Sequence, residues 1–153
     1  MVKFFYYCNR QPFAAMIAAS IHLRRLPKER IPTIREILKM SNDDRLISGD
    51  YGVPYFIGEN KNSQVYVINF NADVSLALQT IENVLSQRGV DFSKWIFLGV
   101  FESKGIHNII FRMGERLSKK KSTRRLGKYL AAMGIRKNYQ KIIEMVNSPK
   151  GVE

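Results

Sequence analysis

Hydrophobic and polar positions divide the chain into short β-type runs and longer helical ones. Residues 2–7 form an apolar and aromatic run that ends at Cys8, then Asn9-Arg10-Gln11-Pro12 breaks it and a small-residue helical stretch covers 13–23. That pattern predicts a strand, a tight loop and a helix, with Pro12 where a first helical turn tolerates it. Leu26-Pro27 and Ile31-Pro32 predict an extended connection, because a residue before proline avoids the α region. Thr33 followed by Glu36 is a capping-box signature for a short helix over 34–40. Residues 41–52 read as a polar loop. Two β-type runs, 53–57 and 64–69, flank the turn formers of 58–63 and predict a hairpin, with Pro54 at a sheet edge or strand start.

Asp73 caps the next predicted helix, whose apolar residues from Val74 to Leu85 recur at helical spacing, and Gly89 ends it. The continuous apolar run 95–101 predicts a strand buried on both faces. A helix over 105–117, a basic linker over 118–125 and a terminal helix over 137–147 complete the pattern. Residues 129–134 predict a last short strand, although Ala131-Ala132-Met133 also suits a helix. Strands alternating with helices predict a single three-layer α/β/α (Rossmann-like) domain over 1–147, with a mostly parallel sheet and one β-hairpin. Residues 148–153 are expected to form a flexible tail.

Composition agrees with a folded domain: 153 residues, 45% hydrophobic and 11% aromatic. Cys8 is the single cysteine, which excludes an intramolecular disulfide and suits a reducing compartment. No apolar run approaches the roughly 20 residues that span a bilayer, and the N-terminus lacks the form of a signal peptide. A cytoplasmic protein with no membrane insertion is expected, of undefined oligomeric state. Charge changes the picture more. The net charge is +12, of which residues 1–101 contribute +3 and residues 102–153 contribute +9. Between Arg112 and Lys141 eleven basic residues face Glu115 alone. Such a field attracts polyanions.

The opening strand ending at Cys8, Ala18-Ala19-Ser20-Ile21-His22-Leu23 with Leu26-Pro27, Tyr55-Phe56-Ile57-Gly58 leading into Val65-Tyr66-Val67, and Gly134-Ile135-Arg136-Lys137-Asn138-Tyr139 carry a resemblance. The chain resembles an uncharacterised domain-of-unknown-function family of small α/β proteins from spore-forming Gram-positive bacteria. The resemblance spans nearly the whole chain and implies a fold but no activity. In that family the first loop reads as cysteine, an aromatic, two glycines, a small residue, histidine and hydroxyl residues. Here those positions hold Cys8, Asn9, Arg10, Gln11, Pro12, Phe13, Ala14 and Ala15, without most of that polar equipment.

The turn after a first strand is a frequent phosphate site, because free N–H groups and the positive helix end point into it. The main expectation is therefore a binding protein rather than an enzyme, taking a phosphorylated small molecule at residues 8–13. Its candidate contacts are Cys8, Asn9, Arg10, His22, His107 and Lys137. The alternative is a module that binds nucleic acid or an acidic partner through residues 119–141, with Lys119, Lys120, Lys121, Arg124, Arg125 and Lys128 as contacts and Tyr129 and Tyr139 interleaved. A phosphatase-like enzyme with a Cys8 nucleophile is the second alternative. It lacks the arginine six residues on, where Ala14 stands. Two histidines and one cysteine without compact spacing predict no metal site, and no cofactor motif is present.

Overall fold

The computed structural model describes residues 1–9, 12–40, 50–71, 73–100, 107–118 and 120–147. Among these the chain forms an α/β structure with one mixed sheet of four strands and six helices. The strands are β1 (Val2–Asn9), β2 (Pro54–Glu59), β3 (Ser63–Phe70) and β4 (Trp95–Gly99). The helices are α1 (Phe13–His22), α2 (Ile34–Met40), α3 (Val74–Gln87), α4 (His107–Ser118), α5 (Arg124–Lys137) and α6 (Tyr139–Asn147). A single 3-10 turn, Lys121–Thr123, joins α4 to α5.

The strand order is β2-β3-β1-β4. β1 runs parallel to β3 and to β4, and β2 pairs antiparallel with β3 as the expected hairpin. Pro54 opens β2, an edge strand, where its missing N–H costs no ladder bond. The hairpin turn is held by the Asn60 side-chain oxygen, which accepts from the N–H groups of Asn62 and Ser63 at 3.0 and 2.9 Å.

Side-chain alternation along β1 separates two apolar clusters. Tyr6 and Cys8 face the larger one, with Ala14, Ile17 and Ile21 of α1, Ile37 of α2, Ala132 and Ile135 of α5, and Tyr139 and Ile142 of α6. Phe5 and Tyr7 face the smaller one, with Ile68, Phe70, and Val74 and Leu78 of α3. On that second face one register level carries an aromatic row across all four strands: Phe56 opposite Tyr66, Tyr66 opposite Phe5, Phe5 opposite Phe97. Ring centroids along the row lie 5.4, 4.9 and 4.8 Å apart, and Trp95 lies 5.1 Å from Phe5.

Capping follows the sequence closely. Glu36 accepts from the Thr33 N–H at 2.7 Å, and the Glu36 N–H donates to the Thr33 hydroxyl at 3.3 Å, closing the capping box. The Arg30 guanidinium beside it, then the Thr33 N–H and hydroxyl, hold the Glu36 carboxyl down at about 2. Asp73 accepts from Ser75 and Leu76 at the start of α3, and Gly89, at φ +66°, ends it.

Three expectations are corrected. Residues 129–134 are not a strand but the middle of α5. Gly127, Ala131 and Gly134 recur at helical spacing there and meet α4 backbone, a packing constraint stronger than a short apolar run. Most of the expected basic linker is likewise structured, with Lys121–Thr123 in the 3-10 turn and Arg124 and Arg125 in α5. Finally, among the described residues β4 is an edge strand and mostly half-buried, while the interior strands β1 and β3 are the ones buried on both sides. Residues 41–49 and 148–153, the expected loop and tail, lie outside the described residues.

Candidate functional site

Three places carry the residues singled out by the sequence; the first and third meet where Phe111 of α4 stacks on Phe13, and the second lies at the other end of the sheet. The first is the end of β1. Chain order reverses there, because β3 lies on one side of β1 and β4 on the other, the arrangement beside which α/β proteins bind ligands. Cys8 sits at this point, buried at 4% exposure, and its thiol hydrogen-bonds the Val100 carbonyl at 3.7 Å. A thiol proton shared with a carbonyl, in an apolar cluster, is the setting of a packing cysteine rather than a poised nucleophile. Asn9 ends the strand. Arg10, the proposed anion grip, lies outside the described residues.

The second place is the opposite end of the sheet. His22 closes α1 there, so it does not share a crevice with Cys8. Its ring is edge-on to Phe4 at 4.5 Å and linked on both nitrogens, to Tyr6 and to Ser63. The bonding direction can be deduced. Asn60 Oδ1 only accepts, so the Ser63 hydroxyl donates to it at 3.0 Å. Ser63 Oγ then accepts from His22 Nε2–H at 3.0 Å, which leaves Nδ1 to accept the Tyr6 O–H at 2.8 Å. His22 is thus a neutral imidazole with its proton on Nε2. Protonating Nδ1 would turn the fully buried Tyr6 hydroxyl away from its only acceptor in this chain of bonds.

Burial, and secondarily the Lys28 charge, lowers the His22 pKa from its ordinary value of 6.5. As pH falls below 6.5 the unfolded chain takes up the proton first, so stability is complete above that value and declines below it. Thermal melts at pH 7.5 and 5.5 should show a lower Tm at 5.5, and His22→Gln should shrink the difference. An unchanged difference in the variant would remove His22 as its source.

The third place is the antiparallel pair of α4 and α5. Its register follows from glycine. A Cβ added to Gly114 would meet the Gly127 carbonyl oxygen at 2.7 Å, one added to Gly127 would meet the Gly114 carbonyl oxygen at 2.6 Å, and one added to Gly134 would meet Phe111 at 2.9 Å. The two backbones therefore touch, with Phe111 of α4 stacked on Phe13 at the start of α1, 6.3 Å between centroids. The open end of the pair brings the C-terminus of α5, with Lys137 exposed, alongside the start of α4 at His107. Lys120, Lys121, Arg124 and Arg125 are exposed at the turn end, Lys128 is half-buried, and Lys119 lies outside the described residues. Arg112, Arg116 and Arg136 are exposed along the two helices.

The family model described as "Protein of unknown function (DUF3189)" matches residues 3–151. The chain belongs to this family. No curated protein and no solved structure matches it significantly. Among the described residues of this DUF3189 chain no group of three His, Cys, Asp or Glu side chains could hold a metal ion, and no helix is long and apolar enough to cross a membrane.

Of the apolar side chains exposed beside the charge on α4 and α5, the sequence reading anticipated Tyr129 and not the aliphatic ones. Ile109, Met113, Leu126 and Tyr129 are 56, 53, 55 and 47% exposed. The signal was available: Ile110, Met113 and Leu117 recur at three and four, as do Leu126, Leu130 and Met133 at four and three. With 129–134 open between strand and helix, the second stripe stayed concealed.

Proposed function

We propose that this DUF3189 protein is a binding module without catalytic activity, which engages an acidic macromolecular partner through the α4–α5 pair. The observation that supports this most is the grouping of Arg112, Arg116, Lys120, Lys121, Arg124, Arg125, Arg136 and Lys137 as exposed side chains on one helical hairpin. Glu115 is the only carboxylate in the sequence from Arg112 to Lys141. Opposite charge on a partner is attracted at long range and loses affinity as salt rises.

Titrating polyglutamate into the protein at 50 and 200 mM salt tests the reading. Binding should weaken steeply with salt, and Lys120→Glu/Lys121→Glu/Arg124→Glu/Arg125→Glu should lower affinity at least about 10-fold while flattening the salt dependence. Equal affinity of parent and variant would overturn it.

A second reading has one observation in its favour. The reversal of strand order at β1 supports a Rossmann-like, three-layer arrangement with a phosphorylated small molecule beside residues 8–13, gripped by Arg10. Such a ligand would raise Tm at both salt concentrations, and Arg10→Glu would abolish the rise.

A further inference from the structure

Among the described residues, helix packing on α4 and α5 leaves one side of the pair unfilled. The close approach at Gly114, Gly127 and Gly134 fixes which residues stand level in the antiparallel register. Ile110 is level with Met133, Met113 with Leu130, and Leu117 with Leu126. By helical position all six lie on the side of the pair opposite to Ala132 and Ile135, which enter the main core. None of the six is buried. Met113 and Leu126 are more than half exposed, and Ile110, Leu117, Leu130 and Met133 are half-buried. Two antiparallel helices with a level apolar stripe on each form a shallow groove about two turns long.

We infer that this groove receives an acidic amphipathic helix from a protein partner, which packs its apolar face on the seam as a third helix. The inference rests on the charge reading above and names what fills the site. Shape selects a helix, since the stripes repeat at three and four along both walls, the pattern of a helix-in-groove anchor site. Charge selects an acidic one. Arg116 flanks the seam on the α4 side, Arg125 and Arg136 flank it on the α5 side, and Lys121 and Lys137 stand near its two ends. A second copy would bring two such rims together, each on a chain of net charge +12, and repulsion opposes that pairing. A nucleic-acid strand stacks its bases on aromatic rings, and none of the six residues of this floor is aromatic.

The test uses a synthetic peptide of about four helical turns, leucine on one face and glutamate on the other. Polyglutamate of equal charge, a single-stranded oligothymidine and phosphatidylglycerol vesicles are the comparison probes. The peptide should bind at least about 10-fold more tightly than polyglutamate, a difference that only apolar contact supplies. Met113→Gln/Leu126→Gln should erase that advantage while leaving polyglutamate affinity and Tm unchanged, because both side chains are exposed. Peptide and polyglutamate binding alike in the parent, with no effect of the double variant, would overturn the groove but leave the charge reading standing. No binding of either would overturn both. Tighter capture by oligothymidine or by the vesicles would overturn the protein partner.

Discussion

Gly127→Ala should destabilise the protein by about 3 kcal/mol, despite placing a better helix former in a helix. The two contributions have opposite sign and unequal size. In a solvent-exposed helix, glycine to alanine gains about 1 kcal/mol, because glycine loses the most backbone freedom on folding. Here the added methyl would meet the amide of Ser118 and, at 2.6 Å, the carbonyl oxygen of Gly114. Both obstacles are backbone, so no side chain can rotate away. Relief requires α5 to move off α4, which loosens the buried contacts of Ala131, Ala132 and Ile135 on the same helix. Overpacking of this kind typically costs 1–3 kcal/mol, and rigid backbone on the far side places it at the upper end, near 3. Urea denaturation with far-UV circular dichroism measures the difference. A stability equal to the parent's would mean that the helices can separate freely, and the seam between α4 and α5 would lose its fixed register.

Tyr139→Ala is expected to cost about 3–5 kcal/mol, the range for removing a large buried aromatic side chain. Tyr139 is 0% exposed at the start of α6, among the core residues contributed by α1, α2 and α5. Its hydroxyl donates to the Pro27 carbonyl at 2.5 Å, tying the start of α6 to the chain just after α1. Burial pushes the phenol up to about 12, so it keeps that proton throughout the neutral range. Tyr139→Phe separates the parts: it keeps the ring and loses only the bond, with an expected cost of about 1–2 kcal/mol. Denaturation midpoints of the two variants should therefore differ clearly. If phenylalanine proved as damaging as alanine, the hydrogen bond and not the packing would dominate at this position.

Strand, hairpin and capping chemistry were legible in the chain because each rests on a local rule. Thr33 with Glu36, Asp73, Pro54 and Gly89 all occupy the positions their side chains predict. The corrected segments fail for different reasons. An apolar run of five or six residues fits either a strand or one side of a helix, and for residues 129–134 the deciding partner is the preceding helix α4, whose close backbone approach no pattern within the run records. β4 looks like a central strand because its apolar content is that of one, yet nothing local records how many strands follow. The candidate residues were legible as types and not as neighbours. His22 and Cys8 lie on consecutive elements, but a helix following a parallel strand returns to the strand's starting edge, so its last residue ends far from the loop at its first. Exposure of Met113 and Leu126 depends on what the rest of the chain leaves uncovered, which spacing alone does not report.

Trp95 gives the molecule a built-in optical probe. It is the only tryptophan in the sequence, so all indole emission comes from the start of β4, where the ring touches Phe5 and the Lys3 ammonium stands 5.0 Å from its centre. The aromatic row, which ends at Phe97 on the same strand, and the indole beside it lie on the sheet face opposite to α1, away from the α4–α5 groove. Fluorescence will thus follow detachment of the β4 edge and stay silent to a peptide seated in the groove unless that peptide disturbs the sheet itself. Binding and unfolding can be read on separate channels in one cuvette, with a label on the peptide for the first and the native indole for the second.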